Sequence, residues 1–316
     1  MADATSGLVK IVTDQPTSLS LTHHHALPVF TRLQIEKPAT HEELSVGQFI
    51  PYAETSSAIE LSALSQGSKQ LLKGLLRLGR LMQFPGGYGI DYAPLLKRGV
   101  WPKYISAHIH EVGAILKDKQ AHILVAPGIS GHPIAAQYAE AAQIPSLLLT
   151  KEPPPEDGQY PEGSFKIPSY TGGKDVVIHP DLTTVIEMLS DIVHEQLESQ
   201  KESDEPQITL NIAVGDDIID QGVMSLALGK SSERLGIAAL SHIIHHQMRQ
   251  EKDRRRFRIQ VRVVAFVTPI KKAYNHPGEL LQHEFGIRPF AGIKINKLYP
   301  REQVIDVEGV GMVQFR

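Results

Sequence analysis

Leucines recur at helical spacing over residues 68–83 of this chain. Over residues 68–83, apolar side chains such as Leu71, Leu75 and Leu78 fall on one helical face, while the lysines and arginines lie elsewhere. The pattern predicts an amphipathic helix packed on the core or on a second subunit, with binding to a membrane surface as the alternative. The Pro-Gly-Gly-Tyr-Gly stretch at 85–89 then interrupts regular structure.

From about residue 100, short apolar runs alternate with helix-forming stretches. Strands are predicted at 122–126, 146–150, 208–215 and 258–268, and helices at 102–118, 134–142, 182–200 and 223–250, before a last helix and strand over 276–295. Buried strands separated by helices indicate a parallel sheet with crossover connections. The segment 151–175 is rich in proline and glycine, and is predicted to be a long mobile loop or hairpin.

Candidate chemistry follows the most apolar strand, in the stretch Leu-Asn-Ile-Ala-Val-Gly-Asp-Asp-Ile-Ile-Asp-Gln-Gly-Val-Met-Ser at 210–225. Ligands of parallel α/β sheets bind beyond the carboxyl ends of the strands, where Asp216 and Asp217 stand. Gly222 permits a tight turn whose N–H groups could surround a phosphate. The alternative is an acidic loop in which Asp220 merely caps the next helix.

This stretch resembles the phosphoribosyl-diphosphate signature of type I phosphoribosyltransferases. The resemblance implies that Asp216 and Asp217 contact the ribose hydroxyls, directly or through Mg²⁺, and that Asp220 lies near N7 of a purine. It also implies a 5′-phosphate loop made of Gln221, Gly222, Val223, Met224 and Ser225.

Other stretches resemble the same family in the same order. The run at 122–152 is similar to its pyrophosphate loop and flanking elements, which implies pyrophosphate contacts from Ile129, Ser130, Gly131, His132 and Lys151. The run at 163–182 is similar to the hood hairpin of the adenine and xanthine enzymes, which implies a flexible loop closed by Ser169 and Tyr170. Residues 263–295 resemble the closing strand, helix and strand of the xanthine group.

Some positions depart from the family pattern. Gln221 and Met224 stand where the phosphate loop usually carries hydroxyl groups, and Ser130 and His132 stand where a lysine or arginine is common. Each hydrogen bond lost to a charged group costs about 1.5–3 kcal/mol. With fewer hydroxyl donors and no cation at these positions, the side chains of these loops would hold a phosphate and a leaving pyrophosphate less firmly than in the family pattern.

The expected architecture is an α/β fold with a central parallel sheet flanked by helices, a hood and an N-terminal extension. We expect extension and hood elements over 1–85, the phosphoribosyltransferase-like domain over 86–300 and a tail over 301–316. Lys271, Lys272 and Tyr274 follow a strand end and could line a base pocket. The histidines at 242, 245 and 246 have helical spacing, but no carboxylate pattern completes a metal site.

Composition narrows the class of function. The formal charge of -3 does not favour nucleic acid as a partner, and the absence of cysteine excludes disulfides and thiolate catalysis. No signal peptide or membrane span is predicted, so a cytoplasmic protein is expected. The resemblance implies a Mg²⁺-dependent homodimer of purine salvage that uses phosphoribosyl diphosphate and a nucleobase-like molecule. A non-catalytic regulator that binds such a ligand, and a ribosyl-transfer enzyme with an unusual acceptor, are the alternatives.

Overall fold

A computed structural model of the chain describes residues 17–18, 28–29, 64–84, 87–98, 101–152, 164–167, 176–178, 180–251 and 256–316. The chain divides into two compact units, Met1–Pro51 and Tyr52–Arg316. In the first unit, the strands β1 (Thr17–Ser18) and β2 (Pro28–Val29) pair antiparallel. No helix among the described residues combines the length and apolar character needed to span a membrane.

The second unit alternates helices and strands. Its helices are α1 (Gln66–Leu78), α2 (Ala93–Leu96), α3 (Pro102–Asp118), α4 (Gly128–Ala142), α5 (Leu182–Ser199), α6 (Val223–Glu251) and α7 (Pro277–Phe285), with a 3-10 turn at Ala273–Asn275. Its strands are β3 (Arg80–Phe84), β4 (Gly87–Asp91), β5 (Ile123–Pro127), β6 (Ser146–Leu149), β7 (Lys151–Glu152), β8 (Phe165–Ile167), β9 (Val176–Ile178), β10 (Gln207–Gly215), β11 (Ile218–Ile219), β12 (Arg258–Lys272), β13 (Phe290–Tyr299), β14 (Val304–Val307) and β15 (Gly311–Gln314).

One large sheet organises this unit, in the order β15-β14-β13-β12-β10-β5-β6. In this sheet, neighbouring strands among β6, β5, β10, β12 and β13 run parallel, whereas β14 and β15 are antiparallel additions at one edge. This confirms the predicted α/β class with a central, mostly parallel sheet flanked by helices. Strand β10 is internal, which explains its almost continuous apolar sequence, because both of its faces are covered.

Two apolar cores lie on opposite faces of the sheet. Along β10, Leu210, Ile212 and Val214 belong to the core that includes buried residues of α5 and α6. Ala213 belongs to the other core, which includes buried residues of α1, α3 and α4. The alternation of side chains along a strand therefore ties β10 to both layers of helices and fixes where its carboxyl end emerges.

The N-terminal helix is shorter than the pattern of leucines predicts. Helix α1 ends at Leu78, and the residues from Arg80 onward form β3, which pairs antiparallel with β4. Gly79 terminates the helix, since its N–H donates to the Leu75 carbonyl at 2.8 Å while its backbone is extended. The helix predicted over 68–83 is therefore wrong in its last turn. The buried leucines confirm the predicted packing of the helix on the core.

The last residues of the chain extend the sheet. Strands β14 and β15 add a hairpin beside β13, and the side chains of Val304, Ile305, Val313 and Phe315 are buried. The Phe315 N–H donates to the Gln303 carbonyl at 2.9 Å, and the Arg316 N–H donates to the Leu76 carbonyl at 3.0 Å. These contacts join the end of the chain to both the sheet and α1.

The segment predicted as a mobile loop or hairpin contributes two strands to a small antiparallel sheet, whose central strand β9 follows directly after it. Strand β9 pairs with β7 on one side and with β8 on the other. Val177 and Ile178 of β9 are fully buried. The described part of this segment is therefore sheet, while Ser169 and Tyr170 lie outside the described residues.

Candidate active site at the end of strand β10

The carboxyl end of β10 opens directly into a pocket. The Asp216 N–H donates to the Val267 carbonyl of β12 at 3.1 Å, so the chain remains tied to the sheet where the strand ends. Acidic, small and apolar residues from both sides of this point line the pocket: Ser130, Asp216, Asp217, Ile218, Ile219, Asp220, Gln221, Gly222, Val223, Met224 and Ser225. The structure thus brings the three aspartates, the rest of the 216–225 segment and one residue of the 128–132 segment together.

Asp217 is held by residues that lie far away in the sequence. Its Oδ2 atom accepts a hydrogen bond from the Tyr92 hydroxyl at 2.8 Å and lies 2.9 Å from the Lys97 ammonium nitrogen. The Asp217 side chain is almost fully buried, and Lys97 also lies 4.7 Å from the centre of the Tyr92 ring. Asp217 is therefore a buried carboxylate with its own counter-charge.

These contacts set the charge state of Asp217. Burial acts to raise the pKa of this carboxyl, but the contact with Asp216, the charge of Lys97 and the hydrogen bonds from Lys97 and Tyr92 together lower it below its ordinary value. Burial and the Asp217 charge in turn raise the pKa of Tyr138 well above its usual range. Asp217 is consequently ionised and Tyr138 is neutral at physiological pH.

Asp216 packs against the beginning of α4. Its Oδ1 atom accepts a hydrogen bond from the Asp217 N–H at 2.9 Å. A Cβ placed on Gly131 would lie only 3.1 Å from the same Oδ1 atom, so the absence of a side chain at Gly131 permits this close approach. Asp216 thus lies between the turn after β10 and the first turn of α4.

The segment predicted as a Gly-bearing turn before a helix at 134–142 is itself helical. Helix α4 begins at Gly128, directly after β5, so Ile129, Ser130, Gly131 and His132 form its first turns. The predicted helix start at residue 134 is therefore wrong. The first turn of a helix presents main-chain N–H groups that have no partner within the helix, and such groups favour anions.

A glycine turn and the start of α6 form the second arm of the pocket. Gly222 has a φ of +77°, a left-handed conformation that favours glycine. The Leu226 N–H donates to the Gly222 carbonyl at 2.8 Å, and the Ser225 side chain is buried. A Cβ on Gly222 would also come within 3.1 Å of Pro277, so the turn packs closely against α7.

Asp220 is contacted by the last residue of β12 and by a residue of the 3-10 turn that follows it. The Lys272 ammonium contacts one carboxylate oxygen, and the Asn275 side-chain amide donates to the other. Tyr274, between them in sequence, has a raised pKa because it is partly buried and faces the Asp220 charge. Lys272 and Tyr274 thus lie near Asp220, and their role in lining a base pocket stays a prediction.

The residues predicted to contact pyrophosphate differ in their position relative to the pocket. Ser130 lines the pocket, whereas a ring nitrogen of His132 lies 2.9 Å from the Leu149 carbonyl at the end of β6. His132 therefore has one nitrogen committed to the protein backbone. Lys151 is the first residue of β7, but its side chain, like that of Ile129, lies outside what the structure describes.

Sequence reasoning missed the residues that hold the aspartates. Tyr92 and Lys97 flank the short helix α2, and Asn275 ends the 3-10 turn after β12. No spacing rule connects Tyr92 or Lys97 to Asp217, because more than a hundred residues separate them. A lysine that directly follows the apolar pair Leu95 and Leu96 carries no sequence signal of its own.

A metal site made by the protein alone is not present in the described part of the chain, where no group of three or more His, Cys, Asp or Glu residues is arranged to hold an ion. His242 and His245, on α6, are exposed and do not form such a group. A divalent cation at this pocket would have to take most of its ligands from a bound substrate, as Mg²⁺ commonly does with phosphates.

Comparison with known proteins gives similarity at the level of structure. No protein-family model matches the chain, and no curated protein matches it. Among solved structures, adenine phosphoribosyltransferase from Rhodothermus marinus is 14% identical with a TM-score of 0.44, covering 72% of this chain and 98% of that one. The Giardia lamblia enzyme complexed with 9-deazaadenine is 16% identical with a TM-score of 0.42, covering 79% and 99%.

The adenine phosphoribosyltransferase of Thermoanaerobacter pseudethanolicus is also similar, with 17% identity, a TM-score of 0.41 and coverage of 69% and 95%. The solved structures named here are thus of the kind that the sequence resemblance implies.

Proposed function

We propose that this chain is a phosphoribosyltransferase, which transfers ribose 5-phosphate from phosphoribosyl diphosphate to a purine-like base and releases pyrophosphate. The observation that carries the proposal is the single pocket that joins Asp216 and Asp217 to the 221–225 turn at the carboxyl end of β10. Carboxylates suit sugar hydroxyl groups, and a glycine turn at a helix start suits a phosphate. The two features therefore match the two parts of ribose 5-phosphate.

The roles follow from the geometry. The N–H groups of the turn from Gln221 to Ser225, at the start of α6, bind the 5′-phosphate, aided by the helix dipole. Asp216 binds the ribose hydroxyls, and the first turn of α4 at Ser130 and Gly131 faces the diphosphate. Transfer then depends on positioning and on stabilising the positive charge that develops at the ribose C1′ atom.

Mg²⁺ fits this pocket as a partner of the substrate. Asp216 would contact the ion, while most of its ligands would be diphosphate oxygens and water. Asp217 suits this role less well, because Lys97 and Tyr92 already occupy its Oδ2 atom. The ion would supply charge neutralisation for the departing pyrophosphate.

Asp220 defines the acceptor side of the pocket. Lys272 and Asn275 each contact one of its oxygens, so the carboxylate is fixed in place as an anion. A fixed anion favours an acceptor that presents a ring N–H, and a purine does so. Purine salvage in the cytoplasm, a homodimeric state and the boundaries 1–85, 86–300 and 301–316 remain predictions that accompany this proposal.

A second function, a regulator that binds a phosphoribosyl ligand without turnover, is favoured by one specific observation. His132 is tied to the Leu149 carbonyl, and residues 128–132 contain no lysine or arginine. A pyrophosphate leaving group would therefore receive little cationic help from this segment. Such a site could bind its ligand and fail to release pyrophosphate.

Assaying pyrophosphate release separates these functions. The protein is incubated with phosphoribosyl diphosphate, Mg²⁺ and each of a panel of purine and pyrimidine bases. We expect release with at least one purine base and formation of the matching nucleotide. Tight binding of phosphoribosyl diphosphate without release would identify the regulator instead. Release without any nucleotide would indicate a different acceptor or hydrolysis, and the absence of both binding and release would reject the proposal.

A further inference from the structure

Helix α2 presents two side chains to the buried aspartate of the pocket. Tyr92 precedes the helix and Lys97 follows it, and both contact the same Oδ2 atom of Asp217, at 2.8 Å and 2.9 Å. The short helix is anchored by Leu95 and Leu96, which are buried in the core. The two contacts therefore come from the residues that flank a short helix packed into the core.

The three side chains form a compact unit. The Lys97 ammonium lies 4.7 Å from the centre of the Tyr92 ring, a cation–π contact, in addition to its ion pair with Asp217. The side chain of Asp217 is 4% exposed, while that of Lys97 is 32% exposed. The carboxylate consequently depends on Lys97 for its counter-charge, whereas Lys97 retains access to solvent.

This unit is linked to the acid that faces the ligand. The Asp217 N–H donates to Asp216 Oδ1 at 2.9 Å, and the same Oδ1 atom packs against Gly131 of α4. Fixing the position of Asp217 thus also fixes the backbone donor that orients the Asp216 carboxylate. Tyr138 of α4, which is neutral, also feels the Asp217 charge, which together with burial raises its pKa.

We propose that Lys97 and Tyr92 are positioning residues for phosphoribosyl transfer: they hold Asp217 as an internal anchor, so that Asp216 alone meets the ribose. This inference rests on the proposed function. It divides two neighbouring aspartates into an anchor and a ligand, and it assigns a role to a helix outside the 210–225 stretch.

The test is a double-mutant cycle on the full-length protein. The variants are Lys97→Met, Asp217→Asn and the combination of both, with Lys97→Arg as the conservative replacement. Lys103→Met is the matched control, because Lys103 lies on the same stretch of chain but contacts the rings of Trp101 and Tyr104 instead of Asp217. For each variant, kcat and KM for phosphoribosyl diphosphate are measured, together with the dissociation constant of ribose 5-phosphate by calorimetry without Mg²⁺.

Residues that act as one unit have non-additive effects. We expect Lys97→Met and Asp217→Asn each to lower kcat on the order of tenfold, and the double variant to lower it by about the same factor rather than by a hundredfold. Lys97→Arg should restore most of kcat, and Lys103→Met should match the wild type. KM and the ribose 5-phosphate dissociation constant should change less than kcat.

Other results overturn the inference. Multiplicative effects in the double variant would mean that Lys97 acts on the ligand directly. An unchanged kcat in a Lys97→Met protein with a lowered melting temperature would mean a purely structural role. If Lys97→Met does not fold, Tyr92→Phe, which removes only the hydroxyl group, carries the same cycle with Asp217→Asn. Failure of the wild type itself to bind ribose 5-phosphate or to release pyrophosphate would instead reject the proposed function.

Discussion

Replacing Asp216 with asparagine is expected to lower kcat/KM for phosphoribosyl diphosphate by at least about a hundredfold, because a preorganised charge at the reacting sugar would be lost. Asp216 lines the pocket, and its Oδ1 atom is fixed by the Asp217 N–H and by the close approach of Gly131. Asparagine keeps the size of the side chain but removes the negative charge that faces the developing positive charge.

The measurement is steady-state kinetics with the base that the wild type accepts. Asp191→Asn is the matched control. Asp191 is exposed on α5, so this substitution makes the same chemical change away from the pocket. The control should keep wild-type kinetics, and both variants should keep the wild-type melting temperature within a few degrees. An Asp216→Asn protein with kinetics within a few-fold of the wild type would remove Asp216 from the reaction.

The second large effect concerns the buried histidine of α3. His108 is fully buried, and its Nε2 atom lies 2.8 Å from the Tyr138 hydroxyl, while its Nδ1 atom has no hydrogen-bond partner. Its ring stacks on Phe290, and Gly292 leaves the space that it fills. Burial lowers its pKa from 6.5 to about 4, because the charged imidazolium would lose its hydration.

The direction of the pH effect follows from this shift. Between about pH 6.5 and 4, the unfolded chain binds a proton at residue 108 and the folded chain does not, so stability rises with pH in this window and is lost as the pH falls. A shift from 6.5 to about 4 corresponds to roughly 3 kcal/mol of unfolding free energy. His108→Gln should therefore flatten the decline of stability between pH 7 and 4 by up to that amount.

Urea unfolding at a series of pH values measures this effect. The control is His110→Gln, on the exposed side of the same helix, which should reproduce the wild-type dependence. Gln at position 108 can still form a hydrogen bond with the Tyr138 hydroxyl. A general loss of stability is already present at pH 7, so it can be distinguished from a change in the pH dependence of stability. If the unfolding free energy of His108→Gln falls with pH as steeply as that of the wild type, the buried imidazole is not responsible for the pH dependence of stability.

The sequence predicts the centre of the fold well, because β10 and the residues that line the pocket after it form one continuous stretch of sequence. Strand β10 is a continuous apolar run that ends in acids and a glycine, and the structure places Asp216, Asp217, Asp220 and Gly222 around one pocket as this pattern indicates. The apolar pattern of a strand and the acids and glycine that end it are properties of neighbouring residues. They can therefore be recognised without tertiary information.

Elements at the periphery were predicted less well. The leucine pattern of α1 continues into Met82, yet Gly79 ends the helix and β3 begins. Glycine at a helix end is a known stop signal, and here it outweighs the apolar periodicity. The hairpin of β14 and β15 also had a signal in its alternating apolar residues and its glycines, but strands this short become stable only beside β13.

The partners of the aspartates could not be predicted at all. Tyr92, Lys97 and Asp217 come together only because α2 packs near the end of β10, and Lys272 reaches Asp220 only because β12 lies beside β10. Residue types and spacing identify which side chains can bind a ligand. Tertiary structure decides which of them are already bound to another part of the protein.

The central claim is that the turn from Gln221 to Ser225 binds a phosphate while Asp216 binds the attached sugar. Titrating isotope-labelled protein with ribose 5-phosphate and recording amide resonances tests it directly. The account predicts that the largest shifts fall on residues 216–225, and that inorganic phosphate moves only the 221–225 amides. Shifts centred elsewhere, or no saturable shift in this segment at millimolar ligand, would contradict it.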